Sequence, residues 1–244
     1  MAHRRTTETL LVMGVNPVRE LLASAHPVER VWVRGAADPR LAAAAAARHV
    51  PVESVAPDVL ARLAGGAAHQ GVLARVPEYR YAELEEVSAA SGGAVLVLDE
   101  VQDPQNLGAI LRTARAAGVA GVVIPKDRAA AVTTAVASAS AGHVFGVRLA
   151  RVTNLVRACR ALKEAGWWLV ALVAAAPRDV FEVARGLERP ALVVGSEGGG
   201  IRPLVRQQCD FEAAIPMAPG VESLNVSVAA AIALYALARR AFGA

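Results

Sequence analysis

Short runs that are apolar at every position, separated by longer stretches apolar on one side only, set the rhythm of this 244-residue chain. AVLVLDE, GVVIP, WWLVALV and PALVVG are of the first kind, which suits strands covered on both faces. LGAILRTARAAG is of the second: Leu107, Ile110, Leu111 and Ala114 fall on one helical face, Asn106 is placed to cap its start, and Gly118 stops it. TNLVRACRALKEAG repeats the pattern, with Thr153 as the expected cap and Gly166 as the stop. KDRAAAVTTAVASASAG predicts a helix of small residues and VFGVRL another strand. Strands alternating with helices argue for a mainly parallel sheet with right-handed crossovers.

The first third of the chain has the same alternation on a smaller scale. Asn16-Pro17 is expected to cap VRELLAS, RVWVRG reads as a strand, LAAAAAARH is helical by propensity, and VLARV closes the unit. The cluster His69, Gln70, Gly71 before that last strand suits either a contact with RNA or a plain turn. PEYRYAELEEVSAASGG, with Pro77, an acidic run and Gly92-Gly93, reads as a linker. The expected organisation is therefore a small α/β domain over 1–76, a linker over 77–93 and a larger α/β domain over 94–244.

Three polar turns follow strands of the larger domain: DEVQDPQNLG after residue 98, GSEGGG after Val194, and IPMAPGVESLNVSV leading into the final helix. In an open α/β sheet such turns line the crevice where ligands bind. GSEGGG is not G-x-G-x-x-G, lacks the Lys-Ser/Thr of a phosphate loop, and does not place Ser196 in G-x-S-x-G. Dinucleotide, triphosphate and serine-hydrolase readings fail on that spacing. A glycine cluster after a strand still lets backbone approach a ligand closely. On residue type alone, Glu197 is a surface charge, Ser223 and Asn225 are caps, and Arg112 with Arg115 is a solvated pair.

Composition adds less. There are 26 basic and 22 acidic residues, a net of +4. Residues 1–76 carry +3, residues 77–93 carry −3 and residues 94–244 carry +4, so an acidic interval separates two basic blocks. Only Lys126 and Lys163 are lysines. The positive charge is thus nearly all guanidinium, which suits bidentate phosphate contacts and equally follows from a compositional bias. Cys159 and Cys209 have neither metal-ligand spacing nor a pairing pattern, and two reduced thiols with no metal site are expected. With no apolar signal core in MAHRRTTETL and no apolar run longer than Val228 to Ala238, no membrane association and a cytoplasmic location are expected.

NLGAILRTA, GSEGGG and IPMAPGVESLNVSVAAAI together resemble the three motifs of the SpoU (TrmH-type) branch of the SPOUT RNA methyltransferases. GVNPVRELL, HQGVLARV, PKDRAAAVTT and LARVTNL look like the RlmB-type members, which modify guanosine in 23S ribosomal RNA. The resemblance implies a parallel sheet with a trefoil knot, preceded by a small L30e-like substrate-binding domain. It also implies S-adenosyl-L-methionine as methyl donor and an RNA ribose 2′-hydroxyl as acceptor. Carried over residue by residue, Gly195, Ile215, Met217 and Leu224 hold the cofactor. Asn106, Arg112, Glu197, Ser223 and Asn225 form the catalytic set. Family proposals make the first-motif arginine a base; a guanidinium stays protonated above pH ~12, so Arg112 is expected to clamp the adjoining phosphate and lower the hydroxyl's effective pKa.

A homodimer is the expected active unit, because SpoU relatives pair through this domain and some complete each site with the partner's arginine. The final helix gives an independent reason: Val226, Val228, Ile232, Leu234, Tyr235 and Leu237 cannot all face one core. Two other readings stay open, namely an inactive RNA-binding relative and a different methyl acceptor, either a transfer-RNA ribose or the ribosomal adenosine whose methylation gives thiostrepton resistance.

Overall fold

The computed structural model describes residues 9–238. Along the chain the elements are β1 (Leu10–Met13), α1 (Val15–Ala23), β2 (Arg30–Arg34), α2 (Pro39–Ala47), β3 (Val52–Val55), α3 (Pro57–Leu63) and β4 (Val72–Val76). There follow α4 (Leu84–Ser88), β5 (Val95–Leu98), α5 (Pro104–Ala116), β6 (Gly121–Pro125), α6 (Thr134–Ala139), a 3-10 turn (His143–Gly146) and β7 (Leu149–Val152). The remainder is α7 (Leu155–Glu164), β8 (Trp168–Leu172), α8 (Val180–Ala184), β9 (Pro190–Val194), α9 (Pro203–Arg206), β10 (Phe211–Ala213) and α10 (Val226–Ala238).

Contacts divide the chain into two compact units. The first comprises the residues through Arg80 together with Val132–Gly146, and the second comprises Tyr81–Ala131 and the chain from Val147 onward. In the first unit the sheet runs β1-β4-β2-β3, antiparallel except for the β2–β3 pair. Leu21, Leu41, Leu60 and Leu73 are fully buried in it. The alanine run of α2 is indeed a helix, started by Asp38, whose side chain accepts from the Leu41 amide.

The inserted segment 132–146 departs from the sequence expectation. Only Thr134–Ala139 of the small-residue stretch is helical, and VFG of VFGVRL is the 3-10 turn, so the strand there starts at Leu149. Its place in the first unit follows from what its side chains touch. The Tyr79 hydroxyl donates to the Val144 carbonyl, and His26 stacks on Tyr79 while meeting Phe145 edge-on. At Gly142 a Cβ would collide with the backbone of Pro17.

In the second unit six parallel strands run in the order β10-β8-β9-β5-β6-β7. The all-apolar runs are the covered strands: Val95 to Leu98 and Ala191 to Val193 have no solvent exposure. The stretch expected as a linker contributes to this unit. Glu83 and Glu86 form a reciprocal capping box that starts α4, and Val87 packs under Gly121. The acidic run is thus a helix start and not a solvated spacer.

Helix ends are set by neighbours of the residues that patterning picked out. Asp103, not Asn106, caps α5, because Pro104 is favourable at the first helical position and the Asp103 carboxylate accepts from the Gln105 amide. Asn154, not Thr153, caps α7. Gly14, with no side chain to donate or accept, precedes α1 in place of Asn16. Gly118 and Gly166 do end their helices, both at positive φ. Among the described residues no helix is long and apolar enough to cross a membrane.

Cys159 is buried and Cys209 half-buried in this core, and burial pushes both thiols up to about 12. The thiolate, which is the reactive form, is therefore almost absent at neutral pH. Neither cysteine should react with iodoacetamide in the folded protein at pH 8, whereas both should label in guanidinium; rapid labelling without denaturant would contradict that burial.

Candidate active site

Beyond the C-terminal ends of β8, β9 and β10 the second unit holds a cavity of about 410 Å3. Gly195, Ile215, Met217 and Leu224, the four expected cofactor residues, all line it, as do Glu197, Ser223 and Asn225. Patterning missed one wall, Leu172 to Ala174, which follows β8. Its only sequence signal is the change from WWLVALV to AAAP, a strand end with no polar residue to draw attention. The first turn of α10 closes the cavity with Val226 and Ala229.

The 195–200 turn folds back on itself. Ser196 and Gly200 exchange two backbone hydrogen bonds, of 3.1 and 3.0 Å. A Cβ on Gly195 would fall within the backbone of Gly200 and Ile201. The turn is also tied to β5: Asp99, fully buried, accepts from the Arg202 backbone amide at 2.8 Å and from that guanidinium at 2.7 and 2.8 Å. A buried carboxylate needs such a full set of donors. The bond to Asp99 is the main reason the Arg202 guanidinium is held above its ordinary pKa. This clamp fixes where Glu197 stands relative to the start of α5.

Three catalytic candidates far apart in sequence meet there. Asn225 Nδ2 donates to Glu197 Oε1 at 2.7 Å, and Asn106 Nδ2 donates to the same oxygen at 3.1 Å. Asn225 Nδ2 also lies 3.1 Å from Asn106 Oδ1, and the Val226 amide reaches Glu197 Oε1 at 3.3 Å. A carboxylate can only accept, so both amide nitrogens must face it. Glu197 Oε2 has no donor among the described residues and remains an acceptor for a hydroxyl or a guanidinium. The cap and site readings of Asn225 coexist: its Oδ1 accepts from the Ser227 amide at 2.9 Å. Ser223 lies on the rim, exposed.

Arg112 is the candidate that this arrangement does not bring in. It is exposed on α5, six residues beyond Asn106, and it does not line the cavity. Six residues at 100° each turn a side chain about 120° away from the Asn106 direction.

The SpoU rRNA methylase family model matches residues 93–235, and the model for RNA 2′-O ribose methyltransferase substrate binding matches residues 11–82. The 23S rRNA (guanosine-2′-O-)-methyltransferase RlmB of Xanthomonas campestris pv. campestris is 42% identical over 244 residues, covering 96% of this chain and 97% of that protein. Among solved structures, an AdoMet-bound rRNA methyltransferase from Sinorhizobium meliloti superposes with a TM-score of 0.82 at 28% identity, covering 98% of this chain and 90% of that one. The SpoU methyltransferase AviRb from Streptomyces viridochromogenes, in complex with AdoMet, gives 0.79 at 27%, covering 96% and 91%. With both models matched in order over most of its length, and with residues of the second and third motifs lining one cavity, this chain belongs to the SpoU family of RNA methyltransferases.

Proposed function

We propose that this chain transfers the methyl group of S-adenosylmethionine to the ribose 2′-hydroxyl of a guanosine in 23S ribosomal RNA. Enzyme class and methyl donor follow from the family and its AdoMet-bound members. The observation that carries the reading is the Asn106–Glu197–Asn225 cluster at the mouth of a cavity of nucleoside size. The donor fits the lining: Ile215, Leu224 and Leu172 offer apolar walls to a base, and the bare backbone at Gly195 lets a ligand approach closely. When bound, the donor supplies an electrophilic methyl group. The chain's residues then hold the ribose oxygen in line with it, exclude water and favour loss of the hydroxyl proton. Glu197 Oε2 is available to orient that hydroxyl. Guanosine of 23S RNA is preferred as acceptor because the RlmB relative carries that specificity in its name and matches end to end.

The dimer, the knot and the cytoplasmic location belong to the same proposal. On α10, Val226, Ala230, Ala233, Leu234 and Leu237 are buried, whereas Val228 and Tyr235, seven apart and therefore on one face, are each 46% exposed. That leftover stripe suits a second copy of the chain; Arg239 and Arg240, expected to continue this helix, lie outside the described residues. An Arg112 that misses its own cavity suits a role in the partner's. Threading of the segment before α10 through the 195–202 turn would give the knot that the family implies.

Mapping 2′-O-methyl positions in ribosomal RNA from a deletion strain tests the acceptor. One guanosine of 23S RNA should lose its methyl group and regain it on complementation. Loss at a transfer RNA or at an adenosine would reassign the substrate.

The first unit is proposed as the RNA-binding domain. Because 132–146 packs within it, a truncation through Arg80 must also replace 132–146 by a short linker, or Val136, Val144 and Phe145 become exposed. Such a protein should keep S-adenosylmethionine affinity within about twofold and bind a 23S fragment at least about tenfold more weakly at 50 mM salt, the gap narrowing as salt rises. Equal RNA affinity with and without the unit would contradict the assignment.

A further inference from the structure

The C-terminal edge of the parallel sheet carries a second group of charged side chains, on the far side of β5 from the cavity. Along that edge β9 leads to Glu197, β5 to Asn106, β6 to Lys126, and β7 bears Arg151. Strands lie ~4.8 Å apart, so β7 stands about 10 Å from β5. That span is roughly three stacked nucleotides at ~3.4 Å each.

Arg151 is exposed yet held in place. Its Nη2 donates to the Lys126 carbonyl at 2.9 Å, and its guanidinium lies 5.4 Å from the centre of the Tyr81 ring. Tyr81 is placed by its neighbour Ala82, whose amide donates to the Leu149 carbonyl of β7 at 2.9 Å. Held by the Lys126 carbonyl and the Tyr81 ring and still exposed, the guanidinium is accessible to a second flat group. Arg128 is the next cation, its side chain 71% exposed and paired at 3.3 Å with Glu100. Both residues of that pair sit at positive φ, +58° and +62°, where side-chain-bearing residues are uncommon. Glu100 is also 3.5 Å from Arg202 Nε, so it has a second cation if Arg128 leaves. Lys126 is exposed and forms no ion pair among the described residues. Asp127, also exposed, is the acid that opposes this group.

We propose that this end of the edge is the track for the RNA strand flanking the target ribose, with the Arg151 guanidinium as the stacking platform for a base and Lys126 and Arg128 as phosphate contacts. The inference rests on RNA being the substrate, as read above. A pinned guanidinium plane is a surface on which unstacked RNA bases dock. In the Arg128–Glu100 pair the arginine is exposed and the carboxylate keeps Arg202 as a second cation, so a phosphate oxygen can replace the carboxylate on Arg128. Asp127 beside the track sets a repulsion that limits affinity.

The test uses the full chain and a 23S RNA fragment that the wild type methylates. Arg151→Ala and Arg151→Lys should both raise the RNA KM, by about tenfold for the alanine, since stacking on one base is worth that much. Lys126→Ala and Arg128→Ala should each reduce the slope of log affinity against log salt by about one. Asp127→Asn should tighten binding. In every variant kcat at saturating RNA and the S-adenosylmethionine Kd stay within about twofold of wild type. Wild-type KM in Arg151→Lys would remove the stacking role. Unchanged RNA affinity and salt slope in the Lys126→Ala, Arg128→Ala, Arg151→Ala triple variant, with the wild type active, would overturn the track and leave the methyltransferase reading standing. A wild type that methylates no RNA would overturn both.

Discussion

Replacing Gly195 with valine abolishes S-adenosylmethionine binding, lowering affinity by at least about 100-fold in a protein that keeps its helical circular dichroism. Gly195 is not at positive φ, so the constraint is space and not backbone strain. The 195–200 turn closes so tightly that any side chain at this position must displace Gly200 and Ile201, and with them the floor of the cavity. Gly198 supplies the control. It lies in the same turn with nothing within 4 Å of its would-be Cβ, so Gly198→Ala should bind the methyl donor about as well as wild type. Calorimetry showing full affinity in folded Gly195→Val would place the donor elsewhere.

Arg112→Ala and Asn225→Ala homodimers are each expected to lose about 10²–10³-fold in turnover, the usual loss when one group that stabilises developing charge is removed. S-adenosylmethionine affinity in Arg112→Ala stays within a few fold of wild type, because Arg112 lies outside the cavity. Mixing the two variants separates the possible geometries. If Arg112 serves the partner's site, a hybrid dimer pairs one chain's intact Asn225 with the other's intact Arg112 and has one working site. Half of the dimers in an equal mixture are hybrids, so about a quarter of wild-type activity should return. With Arg112 acting in its own chain's site, both sites of the hybrid are damaged and the mixture stays inactive. A monomer by light scattering at assay concentration would contradict the dimer itself.

The strands of the second unit and the turns that line its cavity were legible because their signals are local. Strands covered on both faces show as unbroken apolar runs, and the turns that follow β5, β9 and β10 carry unusual polar and glycine clusters. What remained hidden depended on partners distant in sequence. Nothing in TAVASASAGHVFG says that the segment packs on Tyr79 and His26, more than 50 residues earlier. The acidic run over 83–86 looked like a spacer because a helix of five residues has almost no periodicity to display. Asp99 sat within a motif already quoted, but its clamp on Arg202 spans 103 residues. Cap assignments slipped by one to three residues at Asn106, Thr153 and Asn16, since several residues able to cap lie side by side and only the backbone path selects one.

In the proposed function both carboxamides, the glutamate and the cavity serve one act, transfer of a methyl group to a guanosine ribose. The most direct measurement incubates the purified protein and S-adenosylmethionine labelled in its methyl group with an unmodified 23S rRNA transcript, digests the RNA and identifies the labelled nucleoside. The label should appear in 2′-O-methylguanosine at a single position with wild type and be absent with Glu197→Ala. Label in a methylated base, in 2′-O-methyladenosine, or in no nucleoside at all would contradict the account.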